Sequence, residues 1–274
     1  MSRNFAFWPI ILVLALITAP LAIMYLFLAI DTVTTSAPGS FWPTRFTLEH
    51  WRFLWDAKLT GDVWGPTATT FIFASTMVVI VLTVSSTAGY AISRLNLPFR
   101  RLFLSGILVM HAFPAVTLLI GVFLVLQFAG LYNTLIGVIL VKTGFSIPFG
   151  VWIMKGFYDQ VPWEIEMAGV QDGASRFTVW WRLILPQVKP GLLSLGIFVF
   201  IDGWSEFMLP RILAPSSNFD VLSTYLNRVS DPDTAQYNFN LVKSVGLFYT
   251  LPILALYAVF QNRLMNIFSG GKKG

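Results

Sequence analysis

The residues that could do chemistry are few, and most sit inside long apolar stretches. They are His111, Lys142, Asp202 and Glu206, with Gln127 as a neutral polar companion and Arg211 near the end of one stretch. Histidine occurs only at positions 50 and 111 and cysteine not at all. No G-x-S-x-G is present, so the chain offers no nucleophile–base set. Without cysteine, thiolate metal sites and disulfide frameworks are excluded. No G-x-x-x-x-G-K-[ST] is present either, so nothing here cradles a nucleotide phosphate. What remains is the chemistry of buried charge. Asp202 and Glu206 stand four apart, on one face of a helix. Each either neutralises Lys142 or Arg211, or lines a polar path. His111 precedes Phe113-Pro114, where proline leaves backbone groups needing partners.

The stretches holding these residues are long enough to cross a bilayer. The 274 residues are 56% hydrophobic and 11% charged, with a mean hydropathy of +0.72. A soluble domain carries roughly 25% charged residues, so this chain cannot cover a water-facing surface. Six spans of about 20 apolar residues, the length that crosses a hydrocarbon core, are read at 8–30, 67–93, 102–128, 135–154, 191–212 and 241–262. The first is too long for a signal-peptide core, and no small-x-small cleavage site follows it. The fold expected is an all-α membrane protein forming one transmembrane domain over 1–274.

Charge placement sets direction. Arg3, Arg94, Arg100, Arg101, Lys155, Arg176, Arg182, Lys189, Arg263, Lys272 and Lys273 fall on one side; Arg45, Arg52, Lys58, Arg211, Arg228 and Lys243 fall on the other. Both termini are therefore expected in the cytoplasm. The net charge of +5 belongs to this bias, and no nucleic-acid partner follows from it. In the first outer loop Leu48, Trp51, Leu54 and Trp55 recur at helical spacing, predicting a short interfacial helix. The outer loop 213–240 is polar and is expected to meet something outside.

The inner loop 155–190 predicts a helix–turn–helix. Pro162 suits the first helical position, and Glu164 and Glu166 occupy the first turn, where the helix dipole favours carboxylates. Asp172-Gly173 ends the helix, glycine supplying the left-handed conformation of a C-terminal cap. Ser175 caps a second helix with an apolar stripe of Phe177, Trp181, Ile184 and Leu185, stopped by Pro186 and Pro190. A helix this short is marginal alone. Its apolar face packs on its own inner loops or inserts into a cleft of a partner.

This loop resembles the cytoplasmic "EAA" loop of permease subunits of binding-protein-dependent ABC importers: E-A-A, three residues, G, nine residues, I-x-L-P. Aligned on Gly173, the head falls on Met167, Ala168 and Gly169, and the tail on Leu183, Ile184, Leu185 and Pro186. The pattern's Glu is thus Met167 and its second Ala is Gly169, while Glu166 and Asp172-Gly173-Ala174 remain. Arg94-Leu-Asn-Leu-Pro-Phe-Arg-Arg is similar to the family's A-R-x-x-F-P-G-R loop. Gly130-Leu-Tyr-Asn-Thr resembles its turn between the third and fourth spans. Trp204-Ser-Glu-Phe followed by Pro210 resembles W-N-(D/E)-F-x-x-P in the fifth. These point to the carbohydrate-uptake branch, of the six-span, maltose-permease-like type.

The resemblance implies a bacterial inner-membrane subunit that works by alternating access. Its implied partners are a homologous second permease, two ATP-binding cassette subunits that carry ATP and magnesium, and an extracytoplasmic solute-binding protein. No cofactor belongs to this chain. The 167–173 helix would be the lever on which the ATPases pull. His111, Phe113, Lys142, Trp152, Asp202, Trp204 and Glu206 become candidates for a sugar pathway, the aromatic ones either stacking on a sugar ring or simply packing. An unpaired Lys142 favours an anionic sugar ester such as a phosphate or sulfonate; a paired one leaves a neutral saccharide. A stand-alone secondary transporter predicts corresponding interrupted segments in two halves, which the sequence does not offer.

Overall fold

The computed structural model describes residues 7–36, 43–112, 114–216, 218–233 and 237–268. The chain is helical almost throughout. The principal helices are α1 (Phe7–Thr32), α2 (Trp64–Arg94), α3 (Arg100–Ala112), α4 (Ala115–Phe128), α5 (Leu135–Asp159), α6 (Trp163–Gln171), α7 (Arg176–Gln187), α8 (Lys189–Trp204), α9 (Met208–Leu213), α10 (Leu222–Val229) and α11 (Phe239–Phe268). Segments Pro9–Thr32, Trp64–Arg94, Leu135–Asp159 and Phe239–Gln261 are each long and apolar enough to cross a membrane.

Two of the expected spans are not continuous helices. The third is interrupted between α3 and α4 at Pro114, whose ψ of 126° is extended. Proline has no N–H to give and biases its predecessor away from helix. The fifth begins at Lys189 rather than Gly191, with Pro190 in its first turn. It stops at Trp204 and resumes at Met208. At 1.5 Å per residue α8 alone spans about 24 Å, short of the roughly 30 Å core.

Two compact units emerge. One comprises 1–64 and 225–252, the other 65–224 and 253–274. In the first, α1 is exposed from Pro9 to Phe27, an all-round apolar helix of the kind that faces lipid or a partner helix. It is followed by an antiparallel pair, β1 (Thr34–Ser36) and β2 (Pro43–Phe46). The interfacial helix expected at 48–55 is instead a 3-10 turn over Glu49–Leu54 that buries His50 and Phe53, while Leu48 and Trp55 stay exposed. The tighter winding puts a different pair inward from the one helical spacing suggests. The His50 ring nitrogen Nε2 lies 3.3 Å from the Thr34 carbonyl, and Phe53 meets Phe248 edge-on. Lys243 on α11 donates to Asp31 at the end of α1 at 2.6 Å.

The second unit holds the main core. Phe73, Met77 and Val81 of α2 pack with Met154 and Tyr158 of α5, Val179 and Ile184 of α7, and Leu195 and Val199 of α8. All residues discussed as a functional site below belong to this unit.

Candidate functional site: a helix-turn-helix loop and a charged break in one unit

The inner loop folds as helix, glycine turn, helix. Trp163 opens α6 after Pro162, which is its N-cap rather than its first helical residue. At the far end Gly173 N–H donates to Val170 O at 3.0 Å and Ala174 N–H to Gly169 O at 3.1 Å, the paired bonds of a Schellman cap. Gly173 has φ +83°, with nothing within 4 Å of where a Cβ would sit. Backbone handedness, not space, therefore selects glycine there. Ser175 Oγ accepts from Thr178 N–H at 3.2 Å and caps α7.

Gly169, where the family pattern has Ala, has a different reason. An added Cβ would lie 2.7 Å from Leu183 Cδ1 and 3.0 Å from Val179 Cγ2. The missing side chain lets α6 and α7 touch.

The stripe expected on α7 is rotated. Val179 and Ile184 are buried, Leu185 half-buried, and Phe177 and Trp181 exposed. Residues Trp180–Ile184 are wound as a π turn, and Leu185 N–H reaches back five residues to Trp180 O. That wider register precedes Pro186, which has no N–H to contribute. Pro186 accordingly does not stop the helix, which runs to Gln187 before a 73° bend into α8. Trp180, absent from the expected stripe, turns inward and donates from Nε1 to Tyr158 Oη at 3.1 Å. Trp163, Phe177 and Trp181 are left as exposed aromatic surface on the loop.

The carboxylates of the first turn separate. Glu164 is exposed and Glu166 is 1% exposed. Tyr90 donates its hydroxyl to Glu166 Oε1 at 2.8 Å, and Arg94 Nε faces Glu166 Oε2 at 3.5 Å. The same guanidinium donates to Tyr158 O at 2.7 Å and Val161 O at 2.5 Å, and lies over the Trp163 ring at 5.2 Å. Sequence reading missed Arg94 in this role, treating it only as a basic inner residue. Its one available signal was its place at the start of the family-like Arg94-to-Arg101 loop. Of the other loop residues, Met167 is half-buried, while Ala168, Asp172 and Pro186 are exposed and Ala174 half-buried.

The second feature is the break in the fifth span. Lys142 Nζ lies 2.8 Å from Asp202 Oδ1 and 2.6 Å from Glu206 Oε2. Ser146, one turn along α5, donates to Asp202 Oδ2 at 3.2 Å. The other oxygen of Glu206 accepts from Leu209 N–H at 3.0 Å, and its carbonyl accepts from Ser223 Oγ at 2.6 Å. Glu206 thus repairs the interruption, covering an amide at the start of α9 while binding the lysine. Two carboxylates thus share one ammonium. The Asp202 side chain remains 48% exposed.

Of the other pathway candidates, the two tryptophans are described. Trp204 is buried and stacks on Phe200, 5.8 Å between centroids. Trp152 is exposed but ten residues beyond Lys142 on α5, about 15 Å along the axis. Phe113 and the side chain of His111 lie outside the described residues.

Removing one partner from such a cluster strands buried charge, at a cost of roughly 3–5 kcal/mol. Lys142→Met is expected to lower the thermal midpoint of the detergent-solubilised protein. The triple variant Lys142→Met, Asp202→Asn, Glu206→Gln should recover most of the loss. A Lys142→Met protein as stable as the parent would refute the pairing.

Residues 80–268 match the model of the family described as binding-protein-dependent transport system inner membrane component. The chain is 25% identical over 278 residues to the trehalose transport system permease protein SugB of Mycobacterium tuberculosis, covering 100% of this chain and 99% of that one. It is 30% identical over 210 residues to the sulfoquinovosyl glycerol transport system permease protein SmoH of Agrobacterium fabrum, covering 74% and 73%. Among solved structures, a chain of a bacterial ABC transporter involved in the import of the acidic polysaccharide alginate superposes with a TM-score of 0.79 at 20% identity, covering 96% and 98%. This chain belongs to the inner-membrane permease components of binding-protein-dependent ABC transport systems.

Proposed function

We propose that the chain is one of two permease subunits of an ATP-driven importer for a neutral saccharide. The inner loop carries the first part of this reading. A capped helix pair with Trp163, Phe177 and Trp181 exposed is a surface to be covered, on the side that the basic residues assign to the cytoplasm. Two ATP-binding cassette subunits would cover it, one on this permease and one on its homologous partner, and would hold the ATP and magnesium for which this chain has no phosphate loop. An extracytoplasmic solute-binding protein would deliver the substrate at the opposite face, with both termini of this chain in the cytoplasm. Hydrolysis belongs to the partners; this chain moves.

The Lys142 cluster supports the substrate class. With its ammonium held by two carboxylates, Lys142 is not free to meet a sulfonate or phosphate, while the half-exposed Asp202 carboxylate can accept from hydroxyl donors. Sugar hydroxyls suit a carboxylate acceptor, in a bond roughly twice as strong as a neutral one. The named relatives transport both kinds of solute, a neutral disaccharide for one and a sulfonated glycoside for the other, so the family alone does not choose.

Competition for uptake by proteoliposomes holding the whole importer tests the substrate class. Neutral disaccharides should compete and sulfonated or uronic sugars should not, and Glu206→Gln with Asp202→Asn should shift the preference toward anions by freeing Lys142. An unchanged preference would remove the cluster from specificity. The coupling role is tested at Gly173, where Val must adopt a left-handed backbone costing about 1–2 kcal/mol and Asn tolerates it better. Gly173→Val should keep the protein in the membrane while ATP hydrolysis no longer drives uptake, with Gly173→Asn retaining more of it. Normal substrate-stimulated ATPase and uptake in the Val variant would exclude the loop as lever.

A further inference from the structure

The loop is fastened to the spans in two different ways. Helix α7 is tied by neutral hydrogen bonds: Trp180 Nε1 to Tyr158 Oη, and that hydroxyl to Ser86 Oγ of α2 at 2.7 Å. Helix α6 is tied by charge. One oxygen of Glu166 takes the Tyr90 hydroxyl and the other faces the Arg94 guanidinium, both on the last turns of α2. Arg94 in turn holds the carbonyls of Tyr158 and Val161 at the end of α5. A single arginine with a 6% exposed side chain therefore joins three segments.

We propose that Arg94 and Glu166 are the positioning pair that passes displacement of the inner loop to α2 and α5. The proposal rests on the ATP-driven reading above and adds which residues carry the motion. Apolar contact is non-directional and lets one helix roll on another. A buried ion pair does not yield in that way, because separation strands each charge in a poorly polarisable interior. The family pattern's own Glu is Met167 here, and Glu164 is exposed. Among the acids of α6, Glu166 is the one joined to the spans. Loop movement that carries α6 must drag Glu166, and with it the ends of α2 and α5, helices that pack in the core of this unit through Met77, Val81 and Met154.

The test uses the assembled importer, with ATPase subunits and binding protein, in proteoliposomes, and reads sugar taken up per ATP hydrolysed. Glu166→Gln preserves volume and an acceptor for Tyr90 while removing the charge. Uptake per ATP should fall by roughly five-fold or more, the scale of a coupling free energy. Adding Arg94→Gln should lower it little further, because the pair acts as a unit. A merely structural role would reduce protein level, ATPase and uptake together and leave the ratio at the parent value; that result overturns the proposal. Should the Gln variant fail to reach the membrane, the double variant Glu166→Gln with Arg94→Gln strands no charge and removes the pair as a whole. A lowered ratio there supports the pair and an unchanged one overturns it. Parent importer that hydrolyses ATP without uptake would sink the importer reading itself, an outcome distinct from a working parent with indifferent variants.

Discussion

A hydrocarbon interior offers a backbone amide or carbonyl no water to bond, so each group at that depth must find its partner within the protein. Continuous helices meet this by themselves; interruptions do not. This chain interrupts two of its spans, and side chains make good the fifth. Glu206 sits in the gap after Trp204, bonds the Leu209 amide, and leaves its own carbonyl to Ser223. A carboxylate so placed needs a counter-charge, which Lys142 supplies from the neighbouring helix. The lysine then accommodates Asp202 as well. The backbone break, the acid that repairs it, and the base that neutralises the acid form one chain of necessity. The polar cluster in the middle of the unit is its outcome.

The same logic operates at the loop with a different balance. Arg94 and Glu166 carry equal and opposite charge, and Nη2 of the arginine donates to the carbonyls of Tyr158 and Val161, at and just past the end of α5. This pair is buried, with Arg94 Nε and Glu166 Oε2 3.5 Å apart and neither in a hydrogen bond. The Lys142 centre keeps a half-exposed carboxylate. A buried pair of opposite charges joins helices to one another; a half-exposed carboxylate can still accept from a hydroxyl.

How much of this was legible follows from the range of each interaction. Local signals read well: the Ser175 cap, the Asp172-Gly173 turn and most spans depend on residues within one or two turns. The acids four apart on α8 and its extension are recognisable in the sequence, but that Lys142 meets both of them required the fold. Long-range pairings were opaque. Nothing near Arg94 announces Glu166, and nothing near Tyr158 announces Trp180. The α7 stripe failed because a π turn shifts the phase of every later residue, and periodicity assumes a constant 3.6. Trp204, read as a possible sugar platform, was equally compatible with packing, and packing against Phe200 is what the fold provides.

The departure at Met167 takes on a physical meaning in this light. Consecutive helical residues point about 100° apart, so positions 166 and 167 cannot serve the same neighbour. Position 166 faces α2 and is sealed there; position 167 is half-buried and turned aside from that pair. Replacing a carboxylate by methionine at 167 therefore leaves the bond between loop and spans untouched. It removes a charge only from the rim of the helix, where an unbranched, polarisable side chain adapts to whatever surface meets it. The loop has kept the acid that fastens it to its own subunit and exchanged the one beside it for a side chain suited to contact.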